Sequence, residues 1–330
     1  MSWSAVDLDD RSWDRIAESL SSQSPYQTSA WARFKLREGW SIQRFRSDDD
    51  GAAIQLLVKS MPSVSLAWAP GGPIGELSEE HLRGLRALTW STSRGCIQYI
   101  RVSDFRETTP RHEDDYRTSG WSRPHSTLSS GLTLKLSLTS DVDLIRSQYS
   151  TNWSRNLKRG IRTDHFADVW SLPNAKDIAY LHQSVVAHKK LLRSDWRCDE
   201  SAVALFLELF RESVVIVRVL GPDGAIASLR GAVILGTMAF DFFAATSPSG
   251  RRLYSSNVAT DFMLRHLASR GITRFDFGGV DKDINRGVFD FKHGAGGREV
   301  RYLGEFESCA PEWLRRPISR TATRRSARST

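Results

Sequence analysis

The sequence predicts an α/β protein with mixed sheets, built as two domains of the same type, and three observations carry that prediction. The chain has 330 residues, long for one hydrophobic core and comfortable for two. A pattern of strand, Asp-Gly turn, strand, further strand, helix and strand occurs in the first half and again in the second. In both halves the helix ends in Ser-Arg-Gly and feeds a short apolar strand.

The first half opens with a helix over "TSAWARFKLREGW", which Thr28 or Ser29 caps and Gly39 stops; Trp31 and Phe34 share a face, with Lys35 beside them. "SIQRFR" and "AAIQLLVKS" form a hairpin across "SDDDG", because Asp and Gly tolerate the backbone angles a tight turn needs. "SVSLAWAP" extends the sheet. Leu82, Leu85 and Leu88 in "HLRGLRALTWSTSRG" have near-helical spacing, and "CIQYIRVSD" follows as a strand.

In the second half the same order runs through "SVVIVRVLGPDGAIASLRGAVILG", "TMAFDFFAATS", the helix "SNVATDFMLRHLASRG" and the strand "ITRFDFGG". Next, "FDFKHGAGG" reads as a strand that carries Lys292, behind Phe289 and Phe291, to Gly294, Gly296 and Gly297. Glycines there let backbone or ligand approach closely, so Lys292 is either a buried structural charge or a working one.

Lys and Arg total 46 against 38 Asp and Glu, a formal charge of +8. The excess is arginine-rich, which suits phosphate or carboxylate partners; the plainer alternative is an enzyme with a basic surface and no nucleic acid. Between the halves, "STNWSRNLKRGIRTDHF" predicts a helix. Arg155, Lys158, Arg159 and Arg162 fall at i, i+3, i+4 and i+7 on one cationic face, while Trp153, Leu157 and Ile161 share an apolar one. The first face is either a solvated surface or an anion-binding one. Six arginines after Glu312, with no acid among them, make the tail attractive to polyanions.

Hydrophobic residues make up 40% of the chain, enough for buried cores. Cys96, Cys198 and Cys309 are far apart and odd in number, which excludes a disulfide framework and a zinc-ligand spacing and fits a reducing cytoplasm. An acidic start, "MSWSAVDLDD", and the lack of an apolar run near the roughly 20 residues of a membrane helix predict a cytoplasmic protein, neither exported nor membrane-spanning. No Gly-x-Ser-x-Gly elbow, no His-x-x-x-His spacing and no glycine-rich nucleotide loop is present, so a serine triad, a metal site, phosphoryl transfer and hydride transfer are not expected.

"SPYQTSAWARFKLREGW", "NWSRNLKRGIR" and the run from "SNVATDFMLRHLASRG" through "FDFGGVDKDINRGVFDFKHGAGGREVRYLGEFE" together resemble the Fem family of aminoacyl-tRNA-dependent peptidyltransferases. The resemblance implies two acetyltransferase-like (GNAT-like) domains. The first would span 1–145 and be completed by 303–330, and the second would span 146–302. It also implies that Lys292, with Phe291 before it, contacts substrate near the reacting centre, and that Lys35, with Trp31, binds phosphate of a nucleotide-linked precursor. Arg197 would bind the acceptor, although Ser201 stands where an aromatic residue is expected. Asp241 and Phe243 occupy a strand that carries acceptor-binding tyrosines in cell-wall members. No heptad arm is present, as in the shorter members.

From the same resemblance come the expected partners: aminoacyl-tRNA as co-substrate with no further cofactor, its phosphates on Arg155, Lys158, Arg159 and Arg162, and a peptidoglycan precursor or small biosynthetic peptide as acceptor. DNA is not an expected partner. Asp104, Asp276 and Asp281 fall at predicted strand ends, where substrate-contacting groups often sit and where each can equally cap or pair locally. Of these, Asp104 is the substrate-binding candidate. Two other readings stay open. An acyl-CoA N-acyltransferase would hold pyrophosphate at "SGRRLYSSNVA", where the expected glycines are replaced. A noncatalytic RNA-binding protein would stack bases on aromatic residues, but it would have no use for Lys292.

Overall fold

The computed structural model describes residues 2–91, 97–189 and 198–320. It divides into two compact units, Met1–Gly131 with Arg301–Ser329, and Leu132–Val300.

In the first unit β1 (Trp3–Ala5) and α1 (Asp10–Ser19) precede α2 (Ser29–Leu36), whose cap is Thr28: its side chain accepts from the Trp31 N–H. β2 (Ser41–Ser47), β3 (Ala52–Met61) and β4 (Val64–Ala69) pair antiparallel in turn, and the two-residue β5 (Ile74–Gly75) pairs with β3. A parallel neighbour needs a crossover, and α3 (Glu79–Ser91) lies between β4 and its parallel partner β6 (Ile97–Glu107). Leu82 and Leu85 of α3 are buried against Ile54, Leu56, Ile100 and Val102, which is why leucines recur at that spacing. α4 (Pro110–Thr118) closes this part of the chain.

The second unit begins with β7 (Leu132–Ser137), α5 (Val142–Ser147), α6 (Thr151–Ile161), β8 (Phe166–Val169), α7 (Ala175–Lys189) and α8 (Glu200–Leu209). β9 (Val214–Leu220), β10 (Ile226–Leu235) and β11 (Met238–Thr246) then form a meander. After α9 (Pro248–Arg252) and α10 (Ser255–Ser269), β12 (Arg274–Gly279) pairs parallel to β11. The strand order is β7-β12-β11-β10-β9-β8. Met263, Leu264 and Leu267 of α10, Trp153 and Leu157 of α6, and Phe275 and Phe277 of β12 fill its core.

Residues Arg286–Gly294 form a helix, α11, where alternation in "FDFK" predicted a strand. Three residues of alternation do not fix a period, and contacts at helical spacing decide the matter. Phe289 stacks on His293 four positions on at 5.5 Å, and Arg286 faces Asp290 at 3.6 Å. β13 (Arg298–Ala310) follows, and from Tyr302 to Ala310 it pairs antiparallel with β6 in the first unit.

The first unit ends at Gly131, short of the 145 that the sequence predicts. β7 goes with the second unit because its residues pair with β12, Phe275 opposite Leu136 and Asp276 opposite Lys135. The return to the first unit begins at Arg301, two residues before the expected 303.

Candidate active site

α11 delivers Lys292 to the end of β12, and the "DFGG" stretch explains how it is held. Gly278 has φ +71°, a backbone turn that side chains disfavour. Lys292 Nζ donates to the Phe277 carbonyl on one side of that turn and lies 3.5 Å from the Gly279 carbonyl on the other. Asp276 fixes the turn from below, its Oδ1 accepting from the Gly278 N–H at 2.8 Å and from the Thr133 hydroxyl. Phe291 packs toward Trp153 of α6, with ring centres 5.9 Å apart, and so fixes the helix that carries the lysine.

Two more charges complete the cluster. Asp241 of β11 lies with Oδ2 4.0 Å from Lys292 Nζ and accepts from Arg230 Nη1 of β10 at 2.9 Å. The Arg230 guanidinium also sits over the Phe277 and Phe291 rings at 6.0 and 5.7 Å. Two cations and two carboxylates thus share a nearly dry site, where an unbalanced charge would be costly. Burial holds the Lys292 pKa below the ordinary lysine value, Arg230 adding to the effect while Asp241 and Asp276 oppose it. Burial pushes the Asp241 carboxyl up, with Arg230 and Lys292 opposing.

Arg230 is absent from the sequence-based candidates, yet its signal was present: one arginine inside the apolar strand "IASLRGAVIL". Phe243, a substrate candidate, is buried and packs against aromatic neighbours. A bulge at Gly231/Ala232 breaks the alternation of β11, so that Phe242 and Phe243 both reach Phe206 of α8, at 4.9 and 6.0 Å. A side chain at Gly231 would run into the Phe243 ring.

The first-unit candidates are engaged with their own neighbours. Lys35 is 6% exposed, its Nζ donates to both oxygens of Glu38 at 2.8 and 2.9 Å, and it lies 4.9 Å from the centre of the Trp31 ring. Asp104 is fully buried: Arg106 donates to it from Nε, Nη2 and the backbone, and the Tyr116 hydroxyl donates at 2.9 Å. It pairs locally, the second of the two roles the sequence leaves open for it. Asp281 likewise caps locally, accepting from the N–H groups of Asp283 and Ile284. Arg197 lies outside the described residues.

Arg155, Lys158 and Arg159 on α6 and Arg162 at its C-cap are all exposed, while Trp153 and Leu157 are buried as expected. Arg159 is tethered, donating to the Tyr254 hydroxyl at 3.0 Å. Ile161, assigned to the apolar face, is 55% exposed, because the helix turns that last residue away from the core. The stretch "SGRRLYSS" before α10 is filled by α9 and by Tyr254 at φ 57°, in place of an open glycine-rich loop. Among the described residues no group of His, Cys, Asp or Glu is placed to hold a metal ion, and no helix is long and apolar enough to cross a membrane.

Residues 222–313 match the model of the FemAB family, a span that contains Arg230, Asp241, Asp276 and Lys292. Among solved structures, that of FemX is 15% identical, covers 92% of this chain and 96% of its own, and superposes with a TM-score of 0.78. A C-terminal domain of a putative lysylphosphatidylglycerol synthetase from Agrobacterium fabrum is 15% identical, with coverages of 91% and 92% and a TM-score of 0.55. A tandem GNAT protein from the clavulanic acid biosynthesis pathway is 10% identical, with coverages of 94% and 98% and a TM-score of 0.53. No curated protein sequence matches. The chain thus carries a segment similar to the FemAB family around Lys292 and shares the fold of FemX over 92% of its length.

Proposed function

We propose that the protein is an aminoacyltransferase that moves an amino acid from aminoacyl-tRNA to the free amine of a peptide-type acceptor, either a peptidoglycan precursor or a small biosynthetic peptide. The observation that carries this reading is the nearly buried Lys292 ammonium, held by strand-end carbonyls within the FemAB segment. The donor ester is already activated, so alignment and charge stabilisation suffice and no covalent nucleophile is needed. The acceptor nitrogen attacks the ester carbonyl, and Lys292 faces the negative oxygen that forms. Collapse breaks the bond to the ribose oxygen, which takes a proton as the amine gives one up.

The test offers a pool of tRNAs charged with labelled amino acids beside labelled acetyl-CoA, with a cell-wall nucleotide peptide and a small-peptide mixture as acceptors. Transfer from tRNA, lost on RNase treatment, is expected. Transfer only from acetyl-CoA, insensitive to RNase, would make the protein an acyl-CoA N-acyltransferase.

Two surface assignments belong to the same reading. Reversing Arg155 and Arg159 to glutamate should weaken tRNA use and flatten the log–log salt dependence by about 1.4 to 1.8, since each lost phosphate contact removes about 0.7 to 0.9. A salt series with unchanged slope would remove α6 from the tRNA surface. Glu38→Gln releases Lys35 from its carboxylate and is expected to strengthen pyrophosphate binding about tenfold in titration calorimetry, the scale of one charge-assisted hydrogen bond. Unchanged affinity would leave Lys35 as half of a structural pair.

A further inference from the structure

The second unit buries four charges around β12, and the proposed reaction uses one of them. Asp276 already accepts from Thr133 and from the backbone of Gly278. Asp241 is different: Oδ2 is bound by Arg230, while Oδ1 is buried and has no hydrogen-bond partner. The side chain is only 7% exposed. Buried carboxylate oxygens rarely stay unsatisfied, and the Lys292 ammonium, 4.0 Å from Oδ2 of the same carboxylate, is a donor with capacity to spare. It carries three N–H groups, one committed to the Phe277 carbonyl and a second held loosely at 3.5 Å from Gly279.

We propose that Asp241, clamped by Arg230, is the positioning residue of Lys292, giving its ammonium a second seat on Oδ1 beside the one on the β12 carbonyls. The proposal rests on the aminoacyl-transfer reading for its consequence to the reaction, but not for its geometry. With two seats, the ammonium can turn from the carbonyls toward a developing oxyanion while a carboxylate continues to support its charge. Arg230 keeps that carboxylate in place and, as a like charge, opposes Lys292.

The charged groups facing Lys292 from neighbouring strands are Asp241 on β11, Arg230 on β10 and Asp276 on β12. On its own helix Asp290 is exposed and faces Arg286, while His293 stacks on Phe289. Asp241 and Asp276 favour the charged lysine, whereas burial and Arg230 disfavour it. Asp241→Asn must therefore let the Lys292 proton leave at lower pH. Arg230→Gln must hold it to higher pH. A purely structural role predicts no such opposed pair of shifts.

The experiment is trace acetylation of the full chain with acetic anhydride across a pH series, read at the Lys292 peptide by mass spectrometry, with circular dichroism confirming the fold. A downward shift of the labelling midpoint by about one pH unit is expected for Asp241→Asn, equivalent to about tenfold more reactive amine at a given pH, and an upward shift for Arg230→Gln. Unmoved midpoints in folded variants overturn the proposal. Should Asp241→Asn not fold, Arg230→Gln alone decides, and its failure to raise the midpoint is equally fatal. Transfer assays on the same variants separate the two claims. Shifted midpoints in an enzyme whose transfer ignores Lys292 uphold the second seat and sink the aminoacyl-transfer reading. Lys292-dependent transfer with unmoved midpoints does the reverse.

Discussion

Lys292→Ala and Lys292→Met are both expected to lower kcat for aminoacyl transfer by roughly 10²–10³-fold, the loss of about 2.7 to 4 kcal/mol that follows removal of one oxyanion-stabilising donor. The two variants should agree, because methionine restores most of the volume and none of the charge. Lys292→Arg should fall nearly as far: the planar guanidinium does not reproduce a point charge seated between the Phe277 and Gly279 carbonyls. Single-turnover kinetics on preformed aminoacyl-tRNA isolates the chemical step from product release. Full activity in the methionine variant would demote Lys292 to a structural charge and take the proposed mechanism with it.

The second large effect is on stability. Asp104→Ala should destabilise the protein by about 3–5 kcal/mol, because it strands the buried Arg106 charge and leaves the Tyr116 hydroxyl without its acceptor. Burial and the Asp104 charge push the Tyr116 hydroxyl well above its ordinary pKa, so it stays a neutral donor that needs that acceptor. Urea unfolding followed by circular dichroism measures the change, and kcat per folded molecule should not move. A variant of normal stability with lost activity would instead make Asp104 a working group and reverse the structural assignment.

Most of the framework was legible because it rests on local chemistry. Thr28 caps α2 through its own side chain, and the leucines of α3 repeat at helical spacing because one face is buried. Where side-chain contacts decide, the sequence pattern alone misleads. α11 reads as a strand from the alternation in "FDFK", and only the stacking of Phe289 on His293 and the packing of Phe291 near Trp153 reveal the helix. Asp104 looked available at a strand end until Arg106 and Tyr116, two and twelve residues away in sequence, closed over it. The bulge that turns Phe243 toward Phe206 has no marker beyond Gly231 on the neighbouring strand.

β13 also dictates an order of events at the ribosome. Leu303 and Phe306 belong to the core of the first unit, and Phe306 stacks on Tyr116 at 3.8 Å. Those residues are synthesised after all of Leu132–Val300, so the unit that begins at the N-terminus cannot finish its core until the other has been made. The usual N-terminal-first order of domain completion is therefore not open to this chain. A nascent chain stalled before Arg301 would carry a completed second unit beside a first one whose β6 edge still lacks its partner, a natural client for a chaperone that shields unpaired strands.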